Sequence, residues 1–256
     1  MNNEEIIRTI EAIQWDYEVA LVPESIHYIQ KDDLVMIKNE KSTSVYANKV
    51  VRYDRSINEI EEVVSYFEGS PFSWWVRADA NSIELETKLI NRGMKHYETY
   101  IGLANEIKDI SLPTSEFIYK EVTTEEEVRA HVKVAGEIWG YQEKTLQAAF
   151  QERMYYLQSV NRRGGYTIAL DGNKPVGYSN YRLSNDRKAL YLNGAGVLQD
   201  CRGKGVYRNM LTRRLHAAKE QGCEIAVAQG RLGTSEPILR KLGFKQYVTY
   251  KQYVRE

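Results

Sequence analysis

Cysteine, proline and net charge are all scarce in this chain, and each shortage removes a class of protein. Two cysteines, Cys201 and Cys223, among 256 residues cannot staple a secreted domain. A reducing cytoplasm is the expected compartment. Thirty-five Lys and Arg balance 35 Asp and Glu, a formal net charge of zero. No global field therefore draws the chain to nucleic acid or to an anionic membrane. No apolar run approaches the roughly 20 residues that a membrane-spanning helix needs. The start, Met1-Asn2-Asn3-Glu4-Glu5, is polar and acidic, without the basic and apolar regions of a signal peptide. No metal site is expected. The length suits two domains of ordinary size, or one large one. What the chain does have is tyrosine, 19 residues of it. Tyrosines line clefts, and they also serve as half-buried strand and helix residues with wet hydroxyls.

The most informative segment is Arg202-Gly203-Lys204-Gly205-Val206-Tyr207-Arg208. An apolar run, Leu190 to Leu198, precedes it, and a helical stretch, Val206 to Gln221, follows. Strand, glycine loop and helix in that order present unpaired N–H groups at the positive end of a helix dipole, which is a phosphate site. Gly203 and Gly205 carry no Cβ that would hold a ligand off the backbone. Arg202, Lys204 and Arg208 supply cations for the same anion. The loop lacks G-x-x-x-x-G-K-[ST], and the third glycine of a dinucleotide fingerprint would fall on Arg208. Taken alone, the segment also suits a tight turn with a solvated charged rim.

Its surroundings narrow the choice. Tyr191-Leu192-Asn193-Gly194-Ala195-Gly196-Val197-Leu198 reads as a buried strand with glycines near its end, the mark of a bulge or of close backbone approach. Downstream, Pro237-Ile238-Leu239-Arg240-Lys241-Leu242-Gly243-Phe244 reads as a short helix closed by a C′ glycine. A strand, Lys245 to Val254, comes next.

That last junction occurs twice. Asn91-Arg92-Gly93-Met94-Lys95-His96-Tyr97-Glu98-Thr99-Tyr100 matches Lys241-Leu242-Gly243-Phe244-Lys245-Gln246-Tyr247-Val248-Thr249-Tyr250 in glycine, bulky apolar residue, Lys, Tyr, Thr and Tyr, with Leu89 where Leu239 lies. The match implies a duplication, although two unrelated helix-to-strand junctions with similar turn chemistry would look alike. The boundary is expected near Asp109 to Glu116, a polar stretch holding Pro113, one of five prolines.

In the first half, Glu4 to Tyr17 reads as an amphipathic helix with Ile6, Ile7, Ile10 and Ile13 on one face. Strands are expected at Leu34–Lys38, Lys49–Tyr53, Phe72–Arg77 and Tyr97–Ala104. Helices are expected at Asp54–Glu68, with Ser56 and Glu59 as a capping box, and at Asn81–Asn91. The linking Asp54-Arg55-Ser56 has no glycine and puts an acid at a helix start, so no phosphate site is expected there. The second half reads as a strand at Ile118–Val122 and a helix to about Trp139 capped by Thr123 or Thr124. A second helix, Lys144–Val160, and a hairpin of Tyr166–Asp171 and Pro175–Leu183 turning at Gly172-Asn173 lead into the strand before the glycine loop.

Strand, R-G-x-G loop, helix, strand, short helix, "K-L-G-F" and strand together resemble the GNAT superfamily of acyl-CoA N-acyltransferases, over roughly residues 117 to 256. Arg202-Gly203-Lys204-Gly205-Val206-Tyr207 is similar to the family loop Q/R-x-x-G-x-G/A, with Tyr207 where a small residue is usual. The resemblance implies an α/β (α+β) protein of two tandem GNAT-like domains, each a mixed, mostly antiparallel sheet flanked by helices. Residues 1–112 would be a degenerate domain without a cofactor loop, and residues 113–256 the transferase domain. It further implies acetyl-CoA as acyl donor, its pyrophosphate on Arg202, Gly203, Lys204, Gly205, Val206 and Tyr207. Its pantetheine arm would lie against backbone groups of Val197, Leu198 and Gln199. The implied acceptor is an amine of a small molecule, and the implied state a monomer or homodimer.

Acyl transfer from a thioester to an amine requires a neutral amine, although an alkylammonium has a pKa of about 10.4. It also requires a fixed donor for the oxyanion and an acid for the leaving thiolate. The family's usual residues for these tasks are missing. The position of its acid tyrosine is Leu239, that of a common asparagine is Leu232, and that of a glutamate base falls near Tyr191. Tyr191 and Asn193 share one face of the strand and are the candidate catalytic substitutes, with cross-strand packing as the plain alternative. Tyr207 at the loop mouth either donates to the thiolate or covers the cofactor. Trp139-Gly140-Tyr141 either shapes the acceptor pocket or is an ordinary helix break. His216 is expected as a surface or packing residue, and Cys201, beside Arg202, has no base paired with it for an acyl-cysteine role. Two other readings stay open: a non-catalytic acyl-CoA binding or sensing module, and a nucleotide-phosphate binder. The second lacks an acidic magnesium motif.

Overall fold

A computed structural model describes residues 1–79, 82–108 and 111–256. The expected helix start at Asn81 and part of the expected boundary, Asp109 and Ile110, lie outside the described residues. In chain order the elements are α1 (Asn3–Ala12), β1 (Ile26–Gln30), β2 (Leu34–Asn39), β3 (Lys49–Tyr53), α2 (Ile60–Tyr66), β4 (Phe72–Arg77), α3 (Ser82–Asn91) and β5 (Lys95–Glu106). They continue as β6 (Ile118–Glu121), α4 (Glu125–Trp139), α5 (Glu143–Gln158), β7 (Gly164–Asp171), β8 (Lys174–Leu183), β9 (Ala189–Val197), α6 (Val206–Glu220), β10 (Ile225–Arg231), α7 (Ser235–Lys241) and β11 (Lys245–Arg255). Strand β1 carries no sequence signal strong enough to predict. It is half exposed, with only partly buried side chains facing the core.

The chain forms two compact units. One comprises Met1–Asp16, Val22–Ala104 and Gln229–Glu256, the other Tyr17–Leu21 and Asn105–Ala228. The sequence division placed everything from 113 to 256 together, whereas the last 28 residues count with the first unit. The reason is hydrogen bonding: β11 lies between β4 and β5 and pairs antiparallel with both. Glu86 of α3 holds it there, accepting from Lys251 Nζ at 2.8 and 2.9 Å and from Tyr253 Oη at 2.6 Å.

The first unit runs β1-β2-β3-β4-β11-β5 across its sheet, with β3 and β4 parallel and the other recorded pairs antiparallel. Phe67, Phe72, Trp74, Leu89 and Met94 fill its core, with Phe67 and Phe72 stacked at 4.6 Å. Helix α1 starts at a capping box, in which Asn2 Oδ1 accepts from the Glu5 amide and Glu5 accepts from the Asn2 amide. It buries Ile6, Ile7 and Ile10 but ends at Ala12, short of the expected Tyr17. Tyr17 and Glu18 are committed to the second unit. The Tyr17 ring lies under the Arg182 guanidinium, and Glu18 accepts from Tyr156 Oη and the Arg163 amide at 2.6 and 2.7 Å. The two repeated segments meet in β5 and β11. Tyr100 stands opposite Tyr250, its equivalent in the other copy, with Thr99 opposite Lys251 and Ile101 opposite Thr249. The copies thus pair about a local two-fold axis through those tyrosines.

The second unit runs β10-β9-β8-β7-β6, antiparallel except for β9 with β10. Alternation along β7 sends Ile168 and Leu170 to α4 and α5, and Ala169 to α6 on the opposite face. Thr124, one of the two expected caps, opens α4 through a capping box with Glu127, and Gly140 closes it at φ +67°.

Candidate functional site

Strand β9 leads to the loop through a bulge. Its register against β8 shifts between Ser179↔Ala195 and Asn180↔Asn193, leaving Gly194 as the extra residue, at φ +43°. Gly196 has a different reason. A β-carbon there would stand 3.0 Å from Ile138 and 3.1 Å from the Tyr178 ring. The pairing of β9 with β10 is recorded only from Ala189↔Ile225 to Tyr191↔Val227. Past Tyr191, β9 continues to Val197 with no parallel partner among the described residues.

The loop then turns left-handed twice. Gly203 has φ +78° and Gly205, the N-cap of α6, φ +79°, while nothing lies within 4 Å of a β-carbon at either. The glycines are required by backbone conformation, not by crowding inside the protein. No side chain caps α6 and no acid occupies its first turn. Among the described residues the amides of 203 to 208 donate no backbone hydrogen bond. Arg202, Gly203, Lys204, Gly205 and Arg208 are exposed, Tyr207 is half buried and Val206 is buried. Arg202 Nε donates to the Val197 carbonyl at 3.1 Å, which ties the loop to the strand end. The arrangement is an uncapped, cation-flanked helix N-terminus open to solvent, chemistry that suits a diphosphate.

The strand end has less to offer than expected. Leu198 spends its amide on the Val176 carbonyl, its own carbonyl accepts from Cys201, and the Gln199 carbonyl accepts from Arg202. Free backbone edge lies upstream, on Leu192 to Val197. Tyr191 is 1% exposed, with Arg182 at 5.5 Å over its ring. Asn193 is half buried opposite Asn180. Cys201 is buried in the core beneath α6. His216 Nδ1 faces Glu220 at the surface, 3.6 Å away. Leu239, at the position of the family's tyrosine, is buried in the first unit.

Sequence reading missed one cluster on the α4 face of the bulge. Tyr178 Oη accepts from Trp139 Nε1. A β-carbon on Gly194 would stand 4.0 Å from that Oη and 3.3 Å from Asn180 Nδ2. Beneath them lies His131, fully buried, its ring 5.1 Å from Tyr166 and 5.2 Å from Tyr178. Its nitrogens face Ser179 and Asn180 without a hydrogen bond of good geometry. Burial, with Arg153 nearby, pushes its pKa down to about 3, so the imidazole is neutral. Burial likewise holds the Tyr178 hydroxyl above the ordinary phenol value. Trp139 is the only member the sequence marked out. A tyrosine in an alternating strand gives no sign of what faces it.

The first unit also has a strand–loop–helix junction. Pairing of β3 with β4 is recorded only for Lys49↔Ser73 and Val50↔Trp74. A cavity of about 800 Å³ lies beyond, lined by Trp74, Trp75, Tyr53, Arg52 and Tyr250 among others. Asp54 at its mouth pairs with Arg8 at 3.1 Å, and Arg55 with Asp33 at 2.7 Å. Ser56 caps only a short 3-10 turn through the Asn58 amide, so the expected box with Glu59 does not form.

Residues 132–244 match the family model described as "Acetyltransferase (GNAT) family". The match covers 113 of the 256 residues. No curated protein matches the chain in sequence. Solved structures share the fold over nearly its whole length. A GCN5-related N-acetyltransferase from Kribbella flavida is 18% identical, with a TM-score of 0.68 over 96% of this chain and 95% of that one. A functionally unknown conserved protein from Staphylococcus epidermidis is 12% identical, with a TM-score of 0.68 over 96% and 99%. A tandem GNAT protein from the clavulanic acid biosynthesis pathway is 10% identical, with a TM-score of 0.66 over 96% and 87%. The GNAT match begins within α4 and takes in the bulge, the glycine loop, α6 and α7. No helix among the described residues is long and apolar enough to cross a membrane.

Proposed function

We propose that this GNAT protein is an acyl-CoA-dependent N-acyltransferase that uses acetyl-CoA and a small-molecule amine, in the cytoplasm, as a monomer or homodimer. The supporting observation is the row of unpaired amides from 203 to 208, at an uncapped helix start flanked by Arg202, Lys204 and Arg208. Residues 202 to 207 hold the diphosphate. The free edge of β9 up to Val197 and the Gln199 amide align the arm. Bound acetyl-CoA supplies an activated acyl group. The bulge at Gly194 supplies backbone N–H groups for the oxyanion. Asn193, half buried beside the bulge, orients the amine, and Tyr191 braces that wall through Arg182.

Titrating acetyl-CoA by calorimetry into the wild type and into Gly205→Glu tests this reading. Binding by the wild type and its loss in the variant are expected, and no wild-type binding would end it. A second reading, a non-catalytic acyl-CoA sensor, draws on the burial of Tyr191 and Leu239, which leaves no evident base or acid at the family's positions. An amine screen that detects released thiol separates the two, since steady release with any amine excludes the sensor.

A further inference from the structure

Tyr178 belongs to no motif in the sequence, yet its hydroxyl sits at the one irregularity in β9. Three observations fix its state. The oxygen accepts a hydrogen bond from Trp139 Nε1, so its own proton is free to point elsewhere, and no acceptor for that proton is recorded among the described residues. The ring is pinned. His131 packs edge-on against it at 79°, and the bare backbone of Gly196 lies on it, where a β-carbon would approach to 3.1 Å. The oxygen stands 4.0 Å from where a Gly194 β-carbon would be, beside the unpaired edge of β9. Two aromatic residues of α4 and a glycine of β9 therefore converge on holding one O–H at the bulge.

Resting on the acyl-CoA reading above, the geometry points to Tyr178 as the catalytic acid of this site, its O–H contacting the cofactor sulfur, with Trp139 as the residue that positions it. As the acceptor nitrogen bonds to the acyl carbon and the C–S bond breaks, Tyr178 gives its proton to the departing sulfur, which leaves with the bonding pair. The surplus proton of the acylated amine goes to water, and water returns one proton to the Tyr178 phenolate. The Trp139 N–H steadies that phenolate in the interval. This places the acid on β8, not on the short helix where Leu239 stands.

Sulfur contact is measured without knowing the acceptor amine. Calorimetry compares coenzyme A with desulfo-coenzyme A at pH 9, where part of the thiol is ionised and the buried Tyr178 stays protonated. A charge-assisted hydrogen bond predicts a preference of about tenfold or more for coenzyme A in the wild type. Tyr178→Phe is expected to bind both equally while keeping the desulfo affinity. Should Tyr178→Phe fail to fold, Trp139→Phe, at a side chain more than half exposed, carries the test and is expected to cut the preference about threefold. An unchanged preference in the variant that folds, or none in the wild type, overturns the assignment and leaves the acyl-CoA reading standing. Absence of wild-type binding to either compound overturns both.

Discussion

After β9 the chain enters its helix through Arg202 to Gly205. After β3 it enters through Asp54, Arg55 and Ser56. Both junctions follow a strand whose parallel pairing stops early, at Tyr191↔Val227 and at Val50↔Trp74. The difference lies in what occupies the opening. At the first, two left-handed glycines accompany six amides without a recorded backbone acceptor and three exposed cations. At the second, the charges are already spent on each other. Arg8 meets Asp54, Arg55 meets Asp33, and Arg77 meets Glu4. The entry is a 3-10 turn into a seven-residue helix, with an acid where a phosphate would sit. A splayed pair of strands makes a cleft, and the loop decides whether an anion is welcome in it.

The largest effect should break that comparison outright. Gly205→Glu replaces a φ +79° glycine with an anion at the helix start. Acetyl-CoA affinity should fall about 100-fold or more, through strain plus repulsion. Asp54→Glu should leave it unchanged, and calorimetry should give one site per chain. A stoichiometry of two would mean that the acidic junction binds as well.

His131 comes next. A neutral buried imidazole folds with a lowered pKa, so its contribution is complete above the unfolded value of about 6.5 and is lost as pH falls below it. Between pH 6.5 and pH 5 the loss amounts to about 2 kcal/mol. His131→Phe should remove that slope in urea unfolding at pH 7 and pH 5. An unaltered difference between the two pH values would show that His131 titrates alike in the folded and unfolded states.

The smaller effects compare helix caps. Thr124→Ala deletes a capping box at the start of a 15-residue helix and should cost about 1 kcal/mol. Ser56→Ala removes a 3.3 Å bond from a short turn and should cost about 0.3 kcal/mol. Urea midpoints rank the two, and equal losses would mean that the Ser56 turn supports its unit as much as the α4 cap supports the other.

Most of the second unit was legible because its signals are local. The glycine spacing, the threonine cap of α4 and the apolar alternation of β7 to β9 each act within a few residues. The early end of α1 was not, because Ile13 continues the helical period while Tyr17 and Glu18 are drawn off by Arg182, Tyr156 and the Arg163 amide, far along the chain. Nor was the Tyr178, Trp139 and His131 cluster, assembled from β8 and α4 by packing alone.

By itself the sequence determined where α4 caps and where the loop before α6 must turn left-handed. It also determined that residues 202 to 208 are basic and rich in glycine. Those properties belong to single residues and their near neighbours. Tertiary structure alone decided that the last strand joins the first unit and that two copies of one motif pair at Tyr100 and Tyr250. It alone turned a tyrosine with no motif around it toward the bulge. Such outcomes depend on hydrogen bonds and contacts between residues distant in sequence, whose partners no local pattern names.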